Sequence, residues 1–501
     1  MDRVAGETGI VEAPCGRLKG LTEAGICVFR GIAYAKPPVG RLRWRLPQPP
    51  APWAGVRDAT RFGNAAPQAP SRLGMFSGGG IGMQSEDCLY LNVWTPGCDG
   101  VKRPVMVWFH GGAFVFGAGH QPIYDARRLA ARDCVAVTVN SRLGALGFLS
   151  LADVNDVPST GAEGIADQAL ALQWVKDNIA SFGGDPGNVT IFGESAGAMS
   201  VACLLASPAA KGLFHKAIAQ SGAAHVGSGR ERAAKVANAM LDKLGTRDAD
   251  ALMALPAGAI VKAQAAVLRD SRTGRRRLGG LPLQPAIEND VLPERPIDAI
   301  RAGAAAGIPV LTGTTKEEWK LFTVADPRLR FLSAANFARR VEQLAGAHAP
   351  AMLQAYGEGS PFERLNALMT DKAFFVPATR MLEAQEPHAA VFAYRFDWRS
   401  RFLGGMLGAC HALELGFVFG TFADGRARAF FGKGPAAEAL SGAMMEAWVN
   451  FARAGDPGWP RYDAGSRRTM IFGDGPPAPV SAPNDARRLA WDAMPEKRLG
   501  P

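Results

Sequence analysis

Residues 182–197 read FGGDPGNVTIFGESAG, and this stretch carries the strongest structural signal in the 501-residue chain. The glycines and proline at 183–186 cannot continue a helix, and the apolar, β-branched run 189–192 then indicates a buried strand. Residues 193–197 follow as G-x-S-x-G and precede a helix-forming run. Small residues are needed there because an abrupt turn from strand to helix strains the serine backbone. The stretch therefore predicts that Ser195 presents its hydroxyl at a strand-to-helix turn.

Strands and helices alternate on both sides of this stretch. Short apolar runs at 105–109 and 134–139 are typical of buried parallel strands, and residues 164–182 have the three- and four-residue apolar spacing of an amphipathic helix. Further strand-like runs follow at 217–220 and 308–312. This order predicts an α/β fold in which a mostly parallel sheet is covered by helices on both faces.

Two segments rich in alanine and leucine, at about 230–266 and 335–385, lie between the strands and are predicted to be helical insertions that form a gorge. No linker of low complexity separates them from the sheet, and no repeat with a period of roughly 20 to 50 residues is present. We therefore expect residues 1–501 to form a single domain.

A second glycine motif supports acyl-transfer chemistry. Residues 110–114, His-Gly-Gly-Ala-Phe, follow a predicted strand at the place where an α/β-hydrolase carries its second set of oxyanion donors. Adjacent glycines let the backbone approach a substrate closely. We expect the backbone N–H groups of Gly111, Gly112 and Ala196 to stabilise an oxyanion.

A serine hydroxyl is a weak nucleophile near neutral pH, so a histidine must take its proton and an acid must orient that histidine. In an α/β-hydrolase the chain order is serine, acid, histidine. Five histidines follow the serine: His215, His225, His348, His388 and His411. The last three lie far enough beyond it to follow an acid loop, so chain order alone leaves the base open among them.

The chain resembles the type-B carboxylesterase family. Residues 182–197 are similar to the family's long nucleophile signature, and residues 86–94, EDCLYLNVW, are similar to its second signature. The likeness extends from residues 29–35 to residues 448–460. It implies an α/β-hydrolase fold and a serine carboxylesterase that cleaves small-molecule esters through an acyl-enzyme without any cofactor.

The resemblance also implies the other catalytic residues. His411 lies in a family-like segment, residues 408–420, and is expected to be the base. The loop after the strand-like run at 308–312 resembles the family's acid loop, whose second acidic position is Glu318. The glycine that usually follows is replaced by tryptophan, so Glu317 stays open as the alternative acid.

Supporting residues follow from the same resemblance. Ser221 is expected to orient Glu318, while Glu194 either tunes the site or packs around it. Glu86 and Arg142 match a structural ion pair. Aromatic residues near the motifs indicate a large apolar pocket for the acyl or alcohol group: Phe114, Phe116, Phe322, Trp398 and Phe417.

Composition narrows the classes of partner. The chain is 48% hydrophobic and 20% charged, a balance typical of globular proteins. The net charge is +10, but basic residues cluster mainly at Arg269–Arg277, which we interpret as a solvated loop, so no nucleic-acid partner is expected. The segment Gly74–Gly82 lacks the spacing of a nucleotide loop and is placed at the rim of the gorge. No stretch approaches the ~20 apolar residues of a membrane span.

The seven cysteines are scattered without a CxxC pair, so no metal site is expected. The resemblance places the disulfide partner of Cys88 near residues 62–68, where this chain has no cysteine. The first residues also lack the apolar core of a signal peptide. We expect a cytoplasmic protein, with a monomer as the default. The alternative from another class is a non-catalytic binding protein on the same fold, but the presence of Ser195, His411 and an acid argues against it.

Overall fold

A computed structural model of the chain describes residues 5–71, 80–153, 155, 157–274, 278–324, 326–425 and 428–500. The glycine-rich segment Gly74–Gly82 therefore lies largely outside the described residues, as does part of the basic loop, Arg275–Arg277. The described strands are β1 (Ala5–Ala13), β2 (Gly16–Glu23), β3 (Ile26–Ala33), β4 (Val56–Asp58), β5 (Tyr90–Thr95), β6 (Arg103–Phe109), β7 (Val135–Val139), β8 (Gly184–Glu194), β9 (Lys216–Gln220), β10 (Val310–Thr315), β11 (Val391–Phe396), β12 (Arg468–Phe472) and β13 (Ala478–Ser481).

The described α-helices are α1 (Arg127–Ala130), α2 (Gly144–Phe148), α3 (Glu163–Asn178), α4 (Ala196–Ala206), α5 (Arg230–Leu244), α6 (Ala249–Ala254), α7 (Ala257–Arg272), α8 (Pro296–Arg301), α9 (Lys320–Thr323), α10 (Ala334–Ala345), α11 (Ala349–Ala355), α12 (Pro361–Thr370), α13 (Val376–Gln385), α14 (Leu415–Val418), α15 (Arg428–Phe431), α16 (Pro435–Ala454) and α17 (Asp485–Asp492). Within the ranges given above, no helix combines the length and the apolar character that crossing a bilayer requires.

One sheet of thirteen strands runs through the described chain in the order β1-β2-β3-β5-β7-β6-β8-β9-β10-β11-β12-β13, with β4 paired to β2. From β7 to β12 along this order every pair is parallel. The pairs from β1 to β7 and the pair β12–β13 are antiparallel. The predicted mostly parallel sheet is confirmed, with antiparallel strands added at both edges.

The predicted elements match the observed ones with shifted ends. The helix predicted at 164–182 is α3, which ends at Asn178 and continues as a single tighter turn to Phe182. The strand predicted at 189–192 extends back to Gly184, because Gly184 pairs with Arg103 across the sheet. Long-range pairing of this kind sets strand ends that local sequence patterns leave undefined.

The strand β6 shows why the central strands have continuous apolar sequences. Val105, Val107 and Phe109 lie in one core cluster, which also contains residues of α3 and α4. Met106 and Trp108 lie in a second cluster, which contains residues of α16. A strand covered on both faces buries every side chain, each contributing about 1.5–3 kcal/mol when fully removed from water. The sheet is therefore a rigid platform for the loops at its edge.

The prediction of an ion pair between Glu86 and Arg142 is wrong. Glu86 pairs with Arg43 at 2.6 Å. Arg142 instead pairs with Asp167 of α3 at 2.6 Å, and both side chains are buried. Arg142 follows β7, which brings it beside α3. The exchange of partners reflects helix packing that the sequence motifs do not encode.

Candidate active site

Ser195 lies at the sharp turn between β8 and α4, with φ 56° and ψ −121°. A Cβ atom on Gly193 would lie 2.5 Å from the backbone of Gly197, and a Cβ atom on Gly197 would lie 2.0 Å from the carbonyl oxygen of Phe109. Both glycines are therefore steric requirements of the close crossing beside β6. The Ser195 amide donates to the Gln220 carbonyl at 2.9 Å, which anchors the turn.

The loops after β10 and β11 bring Glu318 against His411. Nδ1 of His411 lies 2.6 Å from Oε2 of Glu318, and both side chains are buried. The other carboxylate oxygen, Oε1, accepts a hydrogen bond from the Thr315 amide at 2.7 Å. Glu317 points elsewhere, since its carboxylate lies 2.5 Å from Nζ of Lys320. Of the two candidate acids, Glu318 is the one in contact with the imidazole.

The opposite side of the imidazole faces Glu194. Nε2 of His411 lies 3.0 Å from Oε1 of Glu194. Ser195 and His411 line one cavity, but no hydrogen bond joins their side chains in the described part of the chain. This contact is often long in ligand-free enzymes and tightens when substrate binds. The histidine thus rests between two carboxylates.

Glu414 is a third buried carboxylate, which the sequence analysis did not single out. Nε2 of Gln220 donates to its Oε1 at 3.3 Å, and Oε1 of Gln220 accepts a hydrogen bond from Nε1 of Trp448 at 2.9 Å. An acidic residue in the otherwise apolar run after His411 was the available signal. When it is ionised, Glu414 favours the protonated form of the His411 ring.

Burial and charge together shift the pKa values of these groups. Burial is the largest effect on Glu194 and Glu414, and it raises their pKa values to about 7 and about 8. Burial favours the neutral form of His411, but the charges of Glu194 and Glu318 and the hydrogen bond to Glu318 outweigh it. The pKa of His411 is therefore raised to about 9. This shift favours the imidazolium over the neutral ring.

A cavity of about 100 Å³ opens beside Ser195 and His411. Two of the predicted aromatic residues, Phe116 and Phe322, line it, and the Phe322 ring centroid lies 5.2 Å from that of His411. The rest of the lining consists of side chains that were not predicted from the sequence: Gln121, Ile123, Tyr124, Leu321, Ala412, Leu415 and Phe430. No motif spacing marks these residues. A mostly apolar cavity with a few polar groups is typical of a small-molecule site.

The other three predicted pocket aromatics do not line this cavity, so that part of the prediction is wrong. Phe114 packs edge to face on Phe148, with ring centroids 5.0 Å apart. Trp398 and Phe417 contact each other at 5.6 Å within the core cluster beside α16. These large rings fill the core because it offers more apolar contact than the small cavity.

The backbone amides near Ser195 differ in what they contact. Gly111, Gly112 and Ala113 all line the cavity. Gly111, Gly112 and Ala196 remain the predicted oxyanion donors. Gly112 must be glycine, because a Cβ atom there would lie 1.9 Å from a carbonyl oxygen of the same loop. Ala196 begins α4, where a backbone N–H has no partner inside the helix.

Ser221 does not orient Glu318 as expected. Its hydroxyl is buried and forms no hydrogen bond with any residue in the described ranges. Its amide donates to the Gly313 carbonyl at 2.8 Å, and its backbone has φ 49°. The amide of Thr315 supplies the contact to Glu318 instead.

A strained serine at a strand-to-helix turn, on the carboxyl edge of a mostly parallel sheet, defines the α/β-hydrolase fold. The family model described as "Carboxylesterase family" matches residues 7–470. The chain belongs to this family and is a carboxylic-ester hydrolase.

Known relatives align over almost the whole chain. The para-nitrobenzyl esterase of Bacillus subtilis (strain 168) is 43% identical over 473 residues, which cover 92% of this chain and 94% of the relative. The phenmedipham hydrolase of Pseudarthrobacter oxydans is 34% identical, with 93% and 95% covered. A solved structure, a thermophilic PNB esterase, superposes with a TM-score of 0.87 at 40% identity, covering 96% of this chain and 99% of that one.

Proposed function

We propose that the protein hydrolyses small carboxylic esters by acyl transfer to Ser195, with His411 as the base and Glu318 as the residue that orients it. The observation that carries this proposal is the 2.6 Å contact between His411 and Glu318, at the wall of a cavity that Ser195 also lines. A buried carboxylate on Nδ1 fixes the tautomer that leaves Nε2 free to accept a proton.

The reaction then proceeds in two halves. Ser195 Oγ attacks the ester carbonyl carbon and gives its proton to Nε2 of His411, which passes it to the departing alcohol. A water molecule next attacks the acyl-enzyme and gives a proton to His411. The bond from Ser195 Oγ to the acyl carbon then breaks, His411 returns the proton to Ser195 Oγ, and the carboxylic acid leaves. Glu318 stabilises the imidazolium in both halves. Glu194 also favours the imidazolium. The ring must lose that proton before it can act as the base in either half of the reaction.

We propose Gly111, Gly112, Ala113 and Ala196 as the oxyanion donors. The first three line the cavity beside Ser195, and Ala113 does so with a left-handed φ of 52°. Ala196 adds the positive end of the α4 dipole to its own N–H. Together these groups face the position where negative charge develops on the carbonyl oxygen.

The size of the cavity favours short acyl chains. Only two of the five predicted aromatics line it, and its volume of about 100 Å³ is small beside that of most drug-sized pockets. One relative is named para-nitrobenzyl esterase, after an ester that carries an aromatic ring. We propose aryl esters of short carboxylic acids as the first substrates to test.

The decisive experiment compares p-nitrophenyl acetate, butyrate and octanoate with wild type, Ser195→Ala and Ser200→Ala. Ser200 is a matched control because it lies in α4, where its hydroxyl accepts a hydrogen bond from Gln168 at 3.2 Å. We expect Ser195→Ala to lose about ten-thousandfold in kcat or more and to escape organophosphate labelling, while Ser200→Ala stays within a few fold. A folded wild type that neither turns over nor labels would refute the proposal.

A second pair of variants tests the acid. Glu318→Gln should lower kcat by several orders of magnitude, because the imidazole loses the charge that fixes its tautomer. Glu317→Gln should lower it far less, since Glu317 contacts Lys320 and not the imidazole. Equal losses in the two variants would contradict the assignment of Glu318.

We also propose that the chain acts as a single-domain monomer in the cytoplasm. One continuous sheet from β1 to β13 supports a single domain. All seven cysteines are free thiols, as a reducing compartment favours. Light scattering after size-exclusion chromatography and thiol titration of unreduced protein test these statements. A dimer mass or fewer than seven titratable thiols would contradict them.

A further inference from the structure

A second cavity lies beside the first. Its volume is about 300 Å³, and Ala113 lines both cavities. Val115 continues the wall on the side of the oxyanion loop. The far side is formed by the end of α7, with Ser271 and Arg272, and by the segment 279–283. The two cavities thus share a wall at the residue proposed to hold the oxyanion.

Most of the second cavity is apolar, and among the described residues that line it Arg272 is the one with a charge. Leu268, Leu281, Pro282 and Leu283 supply apolar surface. Arg272 is solvent-exposed, and no carboxylate pairs with it among the residues that the structure describes. An unpaired guanidinium beside apolar walls suits a ligand with a hydrocarbon stem and an anionic end.

The neighbouring acid does not neutralise this arginine. Asp270 is buried and lies 2.8 Å from Nζ of Lys243 on α5, so its charge is already matched there. Arg269 precedes Arg272 by nearly one turn of α7 and is also exposed, but it does not line the cavity. The positive charge of Arg272 is therefore available to a ligand.

The wall formed by the segment 279–283 is fixed by hydrogen bonds from Arg232. The guanidinium of Arg232 donates to the Leu278 carbonyl at 3.1 Å and to the Leu281 carbonyl at 2.9 Å. Gly279 has φ 85°, and a Cβ atom there would lie 2.5 Å from Nη2 of Arg232. A wall fixed by such contacts is preorganised for binding, so little ordering has to accompany it.

We propose that this second cavity is a subsite for an anionic group of the ester substrate, bound by Arg272. The inference rests on the proposed function, because the subsite serves an ester held at Ser195. It names the substrate class as carboxylic esters that carry an additional carboxylate at the end of an apolar stem. The carboxylate belongs either to the acyl half, as in half-esters of dicarboxylic acids, or to the alcohol half.

The test compares charged and neutral esters of matched shape. The acyl arm uses the mono-p-nitrophenyl ester of adipic acid and its methyl-capped diester. The alcohol arm uses 4-(butyryloxy)benzoate and its methyl ester. Each is measured with wild type, Arg272→Gln and the matched control Arg269→Gln, which removes the same charge from the same helix without touching the cavity.

We expect Arg272→Gln to lower kcat/KM about tenfold for the charged ester of one arm, mainly through KM, and to leave the neutral esters within twofold. A charge-assisted hydrogen bond at a partly exposed site supports an effect of about this size. Arg269→Gln should change each value less than twofold. The preference for the charged ester in wild type should also fall as NaCl rises to high concentration, because salt screens the contact. The arm that responds identifies which half carries the anion.

Two results overturn the subsite while leaving ester hydrolysis intact. One is that neither charged ester depends on Arg272 although the neutral esters are hydrolysed. The other is an equal loss in both arginine variants, which indicates the overall field of the protein and not a binding contact. A wild type inert toward all four esters overturns the proposed function and the subsite with it.

Discussion

Replacing Glu194 by glutamine tests whether the two carboxylates around His411 set the pH dependence of hydrolysis. The pKa of His411 is raised from 6.5 to about 9, which corresponds to about 3 kcal/mol in favour of the imidazolium. Glu194 is the largest of the three charges that oppose burial, ahead of Glu318 and Glu414. Removing it should lower the pKa of the ring by about one pH unit, which corresponds to about 1.4 kcal/mol.

The direction follows from the role of the base. His411 must be neutral to accept the Ser195 proton, so kcat/KM rises with pH as the imidazolium loses its proton. In wild type we expect the midpoint of this rise to lie clearly above pH 6.5. In Glu194→Gln it should lie about one pH unit lower, because a neutral amide no longer stabilises the imidazolium.

The assay is kcat/KM for p-nitrophenyl butyrate between pH 5 and roughly 10, corrected for spontaneous hydrolysis, since this ratio reports the free enzyme. Glu317→Gln is the matched control, because it removes a neighbouring carboxylate that does not act on the His411 ring. The midpoint is the informative quantity, since the plateau also reflects any packing change. An unchanged midpoint in Glu194→Gln, or an equal shift in Glu317→Gln, would refute this reasoning.

Three further predictions concern packing and the cavity. Asp167→Asn should lower the free energy of unfolding by about 3–5 kcal/mol in urea titrations, because it leaves a buried arginine charge unpaired; a loss below about 1 kcal/mol would contradict this. Gly197→Ala should abolish soluble expression, since its Cβ atom would lie 2.0 Å from a carbonyl oxygen, whereas Gly442→Ala, in open space on α16, should be neutral or stabilising by up to about 1 kcal/mol. Equal behaviour of these two variants would argue against the close crossing. Phe322→Ala should raise the octanoate-to-acetate ratio of kcat/KM about tenfold by enlarging the cavity, and an unchanged ratio would place the acyl chain elsewhere.

Local features were the most predictable from sequence. The turn at 193–197 follows from its glycines, because the contacts that exclude a Cβ atom arise within a few residues and one adjacent strand. The parallel strands were found because burial on both faces leaves continuous apolar runs. Strand ends were less predictable, since pairing partners far away in the chain decide them.

The functional surroundings were harder to predict because they depend on long-range packing. His411 and Glu318 came from a family resemblance, and spacing alone left three histidines open. Glu414 gave only a weak signal, an acidic residue in an apolar run, and the partner of Arg142 depended on how α3 packs. The same limit explains why Trp398 was wrongly placed in the pocket, since an aromatic residue near a motif has the same sequence pattern in a core.

The residues around the proposed active site come from chain positions far apart. Ser195 follows β8, Glu318 follows β10 and His411 follows β11, and these strands come together in one sheet only through parallel pairing of distant segments. Contacts of such high sequence separation form slowly, because long loops must close first. During refolding, esterase activity should therefore return only after helical circular dichroism has recovered. Enzyme activity is a reporter of the last stage of assembly, and no fragment ending before β11 can acquire it.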